Sequence, residues 1–209
     1  AAHGDDHGLV LPPRVAPVQV VVVPIPYKGA EEAVRQASEE AGRLLREAGL
    51  RVEVDLRPDI TPGEKFYYWE RHGVPIRVEI GPRDVERRQA TLVRRDTLER
   101  EEVPLGQLVE AVKGLLDGIT VALRERAWAW MRERVRAVAS VEEARAILEE
   151  HGGVVELPWC GDGGCGRRME EEVDARVLGT PEDEEPKPAG PCPICGREAK
   201  TVLRLARTY

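Results

Sequence analysis

Residues 18–23, VQVVVV, form a nearly unbroken run of apolar, mostly β-branched side chains. A strand with one face in water would alternate polar and apolar. This one does not, so it must be covered on both faces and lie near the centre of its sheet. The residues that follow agree. Past Pro24 and Pro26, Ala30, Ala33, Val34, Ala37, Ala41, Leu44, Leu45 and Ala48 recur at three- and four-residue spacing, the stripe of an amphipathic helix. Glu31 and Glu32 fall in its first turn, Arg43 and Arg46 in its last, and Gly49 is placed to end it, as the helix dipole and capping preferences require. Residues 52–56 read as a second strand, and the strand–helix–strand order implies a right-handed crossover between two parallel strands.

Thr61-Pro62-Gly63-Glu64 carries a capping box with proline at the first helical position, opening a short helix that runs to about Gly73. On it Phe66 and Glu70 are four apart and share a face, while Trp69 and Arg71 are expected to point elsewhere. Residues 75–80 alternate, with Ile76, Val78 and Ile80 on one side and Arg77 and Glu79 on the other. Residues 81–84 make a turn with Arg83 and Asp84 at its exposed end, and residues 89–95 and 99–103 pair as a hairpin. The expected architecture is α/β, a five-stranded mixed sheet flanked by helices, followed by a small α+β domain. Residues 105–139 read as one long helix, with Gly114 and Gly118 as places where it could break. On that helix Trp128, Trp130 and Met131 read as a surface packed on a neighbouring domain. Ser140 and Glu143 open a further helix that closes at Gly152-Gly153. Beyond it are a strand at 154–157, a polar loop around the acidic run 182–185, and a last strand at 201–205.

With 209 residues, 42% of them hydrophobic, the chain can bury a real core. Its formal charge of -7 excludes a protein that coats nucleic acid by neutralising phosphates everywhere. From Arg71 to Arg100, however, there are eight arginines, no lysine and five carboxylates, a local reversal of sign. Arginine is the residue that forks onto planar acceptors. Neither a membrane-spanning apolar run nor a leader pattern is present, so a cytosolic protein is expected. In that compartment four cysteines point to metal rather than disulfides. They read Cys160-x4-Cys165 and, twenty-six residues on, Cys192-x2-Cys195, each pair set among glycines that let backbone amides turn toward sulfur. This is the pattern of one four-thiolate zinc site, which has no open coordination position and is therefore structural. His3, Asp5, Asp6 and His7 also resemble a metal cluster, but a glycine-rich terminal segment is read here as a frayed end.

The arginine-rich segment has a second meaning. Guanine in a single-stranded loop presents two donors beside an acceptor on its pairing edge. Glu70 and Asp84 can accept from those donors, Arg77 and Arg83 can donate to the guanine oxygen and ring nitrogen, and Phe66 offers a stacking face. Ordinary surface ion pairing remains an equal alternative on composition.

These residues carry a resemblance. HGDDHGLVLPPRVAP (3–17), VVVPI (21–25), PGEKFYYWERHGVPIRVEIGPRD (62–84), VRRDT (93–97), the paired cysteines and the terminal Tyr209 make the chain similar to the C-terminal half of a prolyl-tRNA synthetase of the archaeal and eukaryotic type. The resemblance implies the end of a class II catalytic domain at 1–16, an anticodon-binding domain at 17–107, a connecting helix at 108–139 and a zinc-binding domain at 140–209. It implies ATP-dependent activation of proline and transfer to tRNA(Pro), in a homodimer. Phe66, Glu70, Arg77, Arg83 and Asp84 would then face anticodon guanines, and Cys160, Cys165, Cys192 and Cys195 would hold zinc. His3 and Asp5 would adjoin the active site, and the Tyr209 carboxylate would lie near it. The arginine that clamps ATP is expected before Ala1, so the 209 residues read as a fragment that alone is inactive. Two other classes stay open: a free-standing tRNA-binding or regulatory subunit, and a zinc-stabilised protein interaction module.

Overall fold

The computed structural model describes residues 3–182 and 185–207. Tyr209 lies outside the described residues, as does part of the acidic run at 182–185. The chain divides into two compact units, Ala1–Ala127 and Trp128–Tyr209.

The first unit opens with a small antiparallel hairpin, β1 (Gly4–Asp5) and β2 (Gly8–Leu9). Its main sheet comprises β3 (Val20–Pro24), β4 (Val52–Val54), β5 (Ile76–Ile80), β6 (Gln89–Arg94) and β7 (Arg100–Pro104), in the order β4-β3-β5-β6-β7. β3 runs parallel to both β4 and β5, and the remaining pairs are antiparallel, which is the expected five-stranded mixed sheet. All five residues of β3 are buried, as its unbroken apolar run requires. Helix α1 (Glu31–Glu47) and helix α4 (Leu108–Arg132) cover one face. Their Ala41, Leu45, Leu108, Val112, Leu116 and Ile119 pack on Val20, Val22, Ile76, Val78 and Leu92. Helix α2 (Pro62–Arg71) lies on the other face, where Phe66 and Trp69 meet Val21, Val23 and Val74. Its N-terminus carries the expected capping box between Thr61 and Glu64.

Several local expectations are corrected. The second strand ends at Val54: Asp55 N still donates to Val22 O at 2.9 Å, but Leu56 N turns back to Val54 O at 3.1 Å and the pairing with β3 stops. Trp69 does not point away from Phe66: positions three apart share a helical face, and both rings pack on the same valines. Residues 82–87 form a short helix, α3 (Pro82–Arg87), rather than a bare turn, because the Asp84 carboxylate accepts from Gly81 N at 2.8 Å and caps it. The long helix is unbroken across Gly114 and Gly118, and follows a short 3-10 turn at Leu105–Gln107.

That helix stops at Arg132, and β8 (Val135–Ala137) follows where helix was expected. Pairing decides it: β8 lies parallel to β9 (Val154–Trp159) in the second unit's sheet. That sheet has the order β10-β11-β9-β8, with β10 at Arg176–Gly179 and β11 at Thr201–Ala206. Helix α5 (Val141–Glu150), capped by Ser140, and helix α6 (Gly163–Val173) complete the unit. Ala144, Leu148, Val155, Leu157, Met169, Leu203 and Leu205 share its core with Cys160, Cys165 and Cys192. Trp128, Trp130 and Met131 are exposed, and guanidinium groups of Arg132 and Arg134 lie over the two indoles. Among the described residues no helix is long and apolar enough to cross a membrane.

Candidate nucleic-acid interface and metal centre

The charged residues gather on the sheet face that α2 covers in part. Alternation along β5 puts Arg77 and Glu79 there, level with Val21 and Val23 of β3 and with Val93 and Thr91 of β6. Arg77 is only 8% exposed. Its guanidinium lies 4.1 Å from the centre of the Phe66 ring, and donates from Nε to Glu79 Oε1 at 2.9 Å and from Nη1 to Glu70 Oε1 at 2.6 Å. Glu79, itself 2% exposed, also accepts from Arg100 Nη2. Buried charges of this kind persist only when each has its counter-charge, and losing one partner costs about 3 to 5 kcal/mol. The ladder holds the Glu70 carboxylate in place while Glu70 Oε2 and Arg77 Nη2 keep no hydrogen-bond partner among the described residues. One acceptor and one donor are thus fixed beside an aromatic ring.

Phe66, Glu70 and Arg77 therefore come together. Arg83 and Asp84 sit on α3, directly after β5, and among the described residues no hydrogen bond or ion pair joins them to the other three. Asp84 is occupied by Gly81 N and by Gln89 Nε2, the latter at 3.2 Å. Arg83 is exposed and has no partner among the described residues. Tyr67 and Tyr68, also exposed, carry Arg71 and Arg57 guanidinium groups over their rings at 5.7 and 4.5 Å.

Two supports were not foreseen in the sequence. Asp55, 3% exposed, accepts from Arg57 Nε at 2.9 Å, Arg57 Nη2 at 2.5 Å and Trp69 Nε1 at 2.8 Å, while Lys65 Nζ donates to its carbonyl at 2.9 Å. Burial works to raise the carboxyl's pKa, but the hydrogen bonds from Arg57 and Trp69 outweigh it and bring the value down to about 2. The second support is Arg95, 3% exposed, which grips Asp5 with both terminal nitrogens, at 2.7 and 2.6 Å. The Asp5 segment is accordingly not frayed. Hydrogen bonds from Arg95 hold the Asp5 carboxyl well below the usual carboxylate range. Among the described residues His3, Asp5, Asp6 and His7 form no metal-binding group.

The four cysteines do. Their sulfurs lie within 4.8 Å of one another, and the set could hold a metal ion. Cys160 directly follows β9, and Cys165 lies in the first turn of α6, whose N-terminus Asp162 caps by accepting from Gly164 N and Cys165 N. Cys192 and Cys195 occupy a tight turn closed by Gly196 N donating to Cys192 O at 2.8 Å. Gly161 and Gly196, each directly after a cysteine, have φ of 88° and 71°, which side chains rarely adopt. Arg197 braces the group, donating to Cys195 Sγ at 3.3 Å and to Asp162 Oδ2 at 3.1 Å.

The five-stranded mixed sheet with capped helix α2 and the cysteine-bearing second unit match the anticodon-binding class of protein when the chain is compared with known families. The family described as "Anticodon binding domain" matches residues 19–115, and "Prolyl-tRNA synthetase, C-terminal" matches residues 141–209. The chain is 52% identical over 212 aligned residues to the proline–tRNA ligase of Thermococcus kodakarensis, covering 100% of this chain and 44% of that one. Against those of Pyrococcus horikoshii and Pyrobaculum calidifontis the identities are 50% and 53%, over 100% and 99% of this chain and 44% and 43% of the relatives. The chain belongs to the prolyl-tRNA synthetase family and matches the C-terminal part of its members. It spans about 44% of the length of the curated relatives named first.

Proposed function

We propose that this chain is the anticodon-reading and C-terminal part of a cytoplasmic, homodimeric proline–tRNA ligase, which activates proline with ATP and transfers it to tRNA(Pro). The observation that carries this reading is the alignment of the whole chain with proline–tRNA ligases at about half identity. Proline codons begin CC, so tRNA(Pro) carries two adjacent anticodon guanines. Glu70 and Asp84 accept from guanine N–H groups, Arg77 and Arg83 donate to its acceptors, and Phe66 stacks. The fixed Glu70–Arg77 pair supports this, because a guanine edge needs an acceptor and a donor held side by side. Asp84 contributes only if it yields its bond to Gln89. ATP and proline fall to the part of the ligase that precedes these residues, with His3 and Asp5 adjoining it and the Tyr209 carboxylate near it, so the chain alone should not activate proline.

Zinc is the metal the cysteines fit. Zn–S bonds of about 2.3 Å in a tetrahedron put sulfurs about 3.8 Å apart. Cys160 and Cys195 Sγ are 3.7 Å apart, whereas a disulfide requires about 2.05 Å. Four thiolates from Cys160, Cys165, Cys192 and Cys195 would complete the shell and staple β9, α6 and the turn before β11. A zinc held there would supply folding energy and no catalytic position.

The test is binding of tRNA(Pro) transcripts with each anticodon guanine replaced in turn. Arg83→Ala is the cleanest variant, because Arg83 is exposed and its loss orphans no buried charge. Each lost bidentate contact should cost about 1 to 3 kcal/mol and relax discrimination at one position. If Arg83→Ala, Glu70→Ala and Arg77→Ala all retain the wild-type penalty for both replacements, this face does not read the anticodon.

A further inference from the structure

Arg95 makes three side-chain bonds, and they join two parts of the first unit that are far apart in sequence. Nε donates to Glu70 O at 2.9 Å, and Nη1 and Nη2 fork onto the Asp5 carboxylate. Glu70 O belongs to the last turn of α2, where it also accepts from Gly73 N at 3.0 Å and where a cation is favoured. Glu70 is therefore held twice, through its carbonyl by Arg95 and through its carboxylate by Arg77. The hairpin that supplies Asp5 is seated on the same turn by backbone contact. A Cβ on Gly8 would lie 2.5 Å from Arg71 Cα, and one on Gly73 would lie 2.9 Å from Leu9 C, so both glycines admit a close approach that no side chain allows. Neighbouring Arg94 cannot take over, since it is engaged with Asp96 through Nε and Nη2.

We propose that Arg95 and Asp5 are positioning residues for guanine reading: the β1–β2 hairpin, through the Asp5–Arg95 fork on the Glu70 carbonyl, sets where the Glu70 carboxylate stands. This rests on the base-reading role proposed above. It adds that the hairpin, which touches no base, is part of the reading apparatus. Discrimination between RNAs should then depend on Asp5, while general affinity for RNA should not.

The test uses the 209-residue chain and RNA stem-loops that present two adjacent guanines, either guanine replaced by adenine, or both replaced. Wild-type chain should prefer the intact loop by about tenfold or more over each single replacement. Asp5→Asn, which keeps the shape but removes the charge that grips the guanidinium, should cut that preference to roughly threefold or less. The loop lacking both guanines should bind the variant and wild type equally. Asp5→Glu, retaining the charge, should recover part of the preference. Arg95→Lys should behave as Asp5→Asn, and the double variant should be no worse than either alone, because the pair acts as one unit. Two results overturn the proposal: Asp5→Asn with the wild-type preference intact, even at a lowered melting temperature, or an equal weakening toward all four RNAs. A wild-type chain without preference sinks the base-reading role itself, and this inference with it.

Discussion

Replacing Asp55 by Asn tests whether α2 is held to the sheet by a charge or merely by packing. The carboxylate is 3% exposed and shares its surroundings with Lys65, 4% exposed, whose Nζ lies 3.8 Å from Asp55 Oδ1. Its pKa of about 2, against an ordinary 3.8, corresponds to about 2 kcal/mol of stability. A depressed carboxylate contributes that stability above its unfolded pKa near 4, and loses it as pH falls through the folded value near 2. The substitution also leaves the Lys65 ammonium buried without its counter-charge, and burial already lowers the Lys65 pKa. Together these predict a loss of about 3 kcal/mol at neutral pH. Urea unfolding followed by fluorescence is the assay, since Trp69 is bonded to this carboxylate and reports on it directly. The gap between variant and wild type should shrink by about 2 kcal/mol between about pH 5 and pH 2, because the wild type becomes protonated there too. A gap that does not change with pH, or one below about 0.5 kcal/mol at neutral pH, would falsify the electrostatic account.

Metal analysis of purified chain should find about one zinc per chain, and a chelator or Cys192→Ser should melt the second unit while the Trp69 signal of the first persists; chain that holds no zinc yet melts unchanged refutes the four-thiolate site. Gly8→Ala should destabilise the first unit by at least about 2 kcal/mol, because φ is 129° and the new methyl meets the Arg71 backbone. Gly63→Ala, where a Cβ meets nothing within 4 Å, serves as the control and should leave the urea midpoint unchanged or slightly higher. Equal midpoints for the two glycine variants would show that the hairpin is not seated on α2 as described.

Features written in a few consecutive residues were legible before any coordinates. The β3 run, the α1 stripe, the Thr61 capping box, the β5 alternation and the cysteine spacing each obey a local rule, and each stands where that rule puts it. What was not legible depends on partners brought in by the fold. β8 is three residues that become a strand only because β9 lies beside them. Helix α6 begins Gly-Gly-Cys-Gly, a poor helix-former by propensity, and exists because Asp162 caps it and its buried Met169 and Val173 reach the core. Of the five residues grouped at the site, Phe66, Glu70 and Arg77 do come into contact, whereas Arg83 and Asp84 have no bond to them among the described residues. The supports of the first three were not legible: Arg100 reaches Glu79 from another strand, and Asp5 meets Arg95 ninety residues away. Arg197, two residues after Cys195, and Asp162, two after Cys160, stood close enough in sequence to be noticed as braces for the cysteine group.

The borders of the five-stranded sheet have a consequence for how the protein behaves when crowded with copies of itself. A border strand offers unpaired backbone groups that a second molecule could extend into a continuous ribbon. On one side β4 is only three residues long and carries Glu53; on the other β7 reads Arg-Glu-Glu-Val-Pro, with its three charged residues exposed and proline at its end. A copy approaching β7 would have to strip water from those charges, and would find no amide to bond at Pro104. Exchanging Glu101 and Glu102 for threonines, with Arg100 kept as the partner of buried Glu79, would leave a smoother, more bondable rim, and the first symptom would be turbidity on concentration.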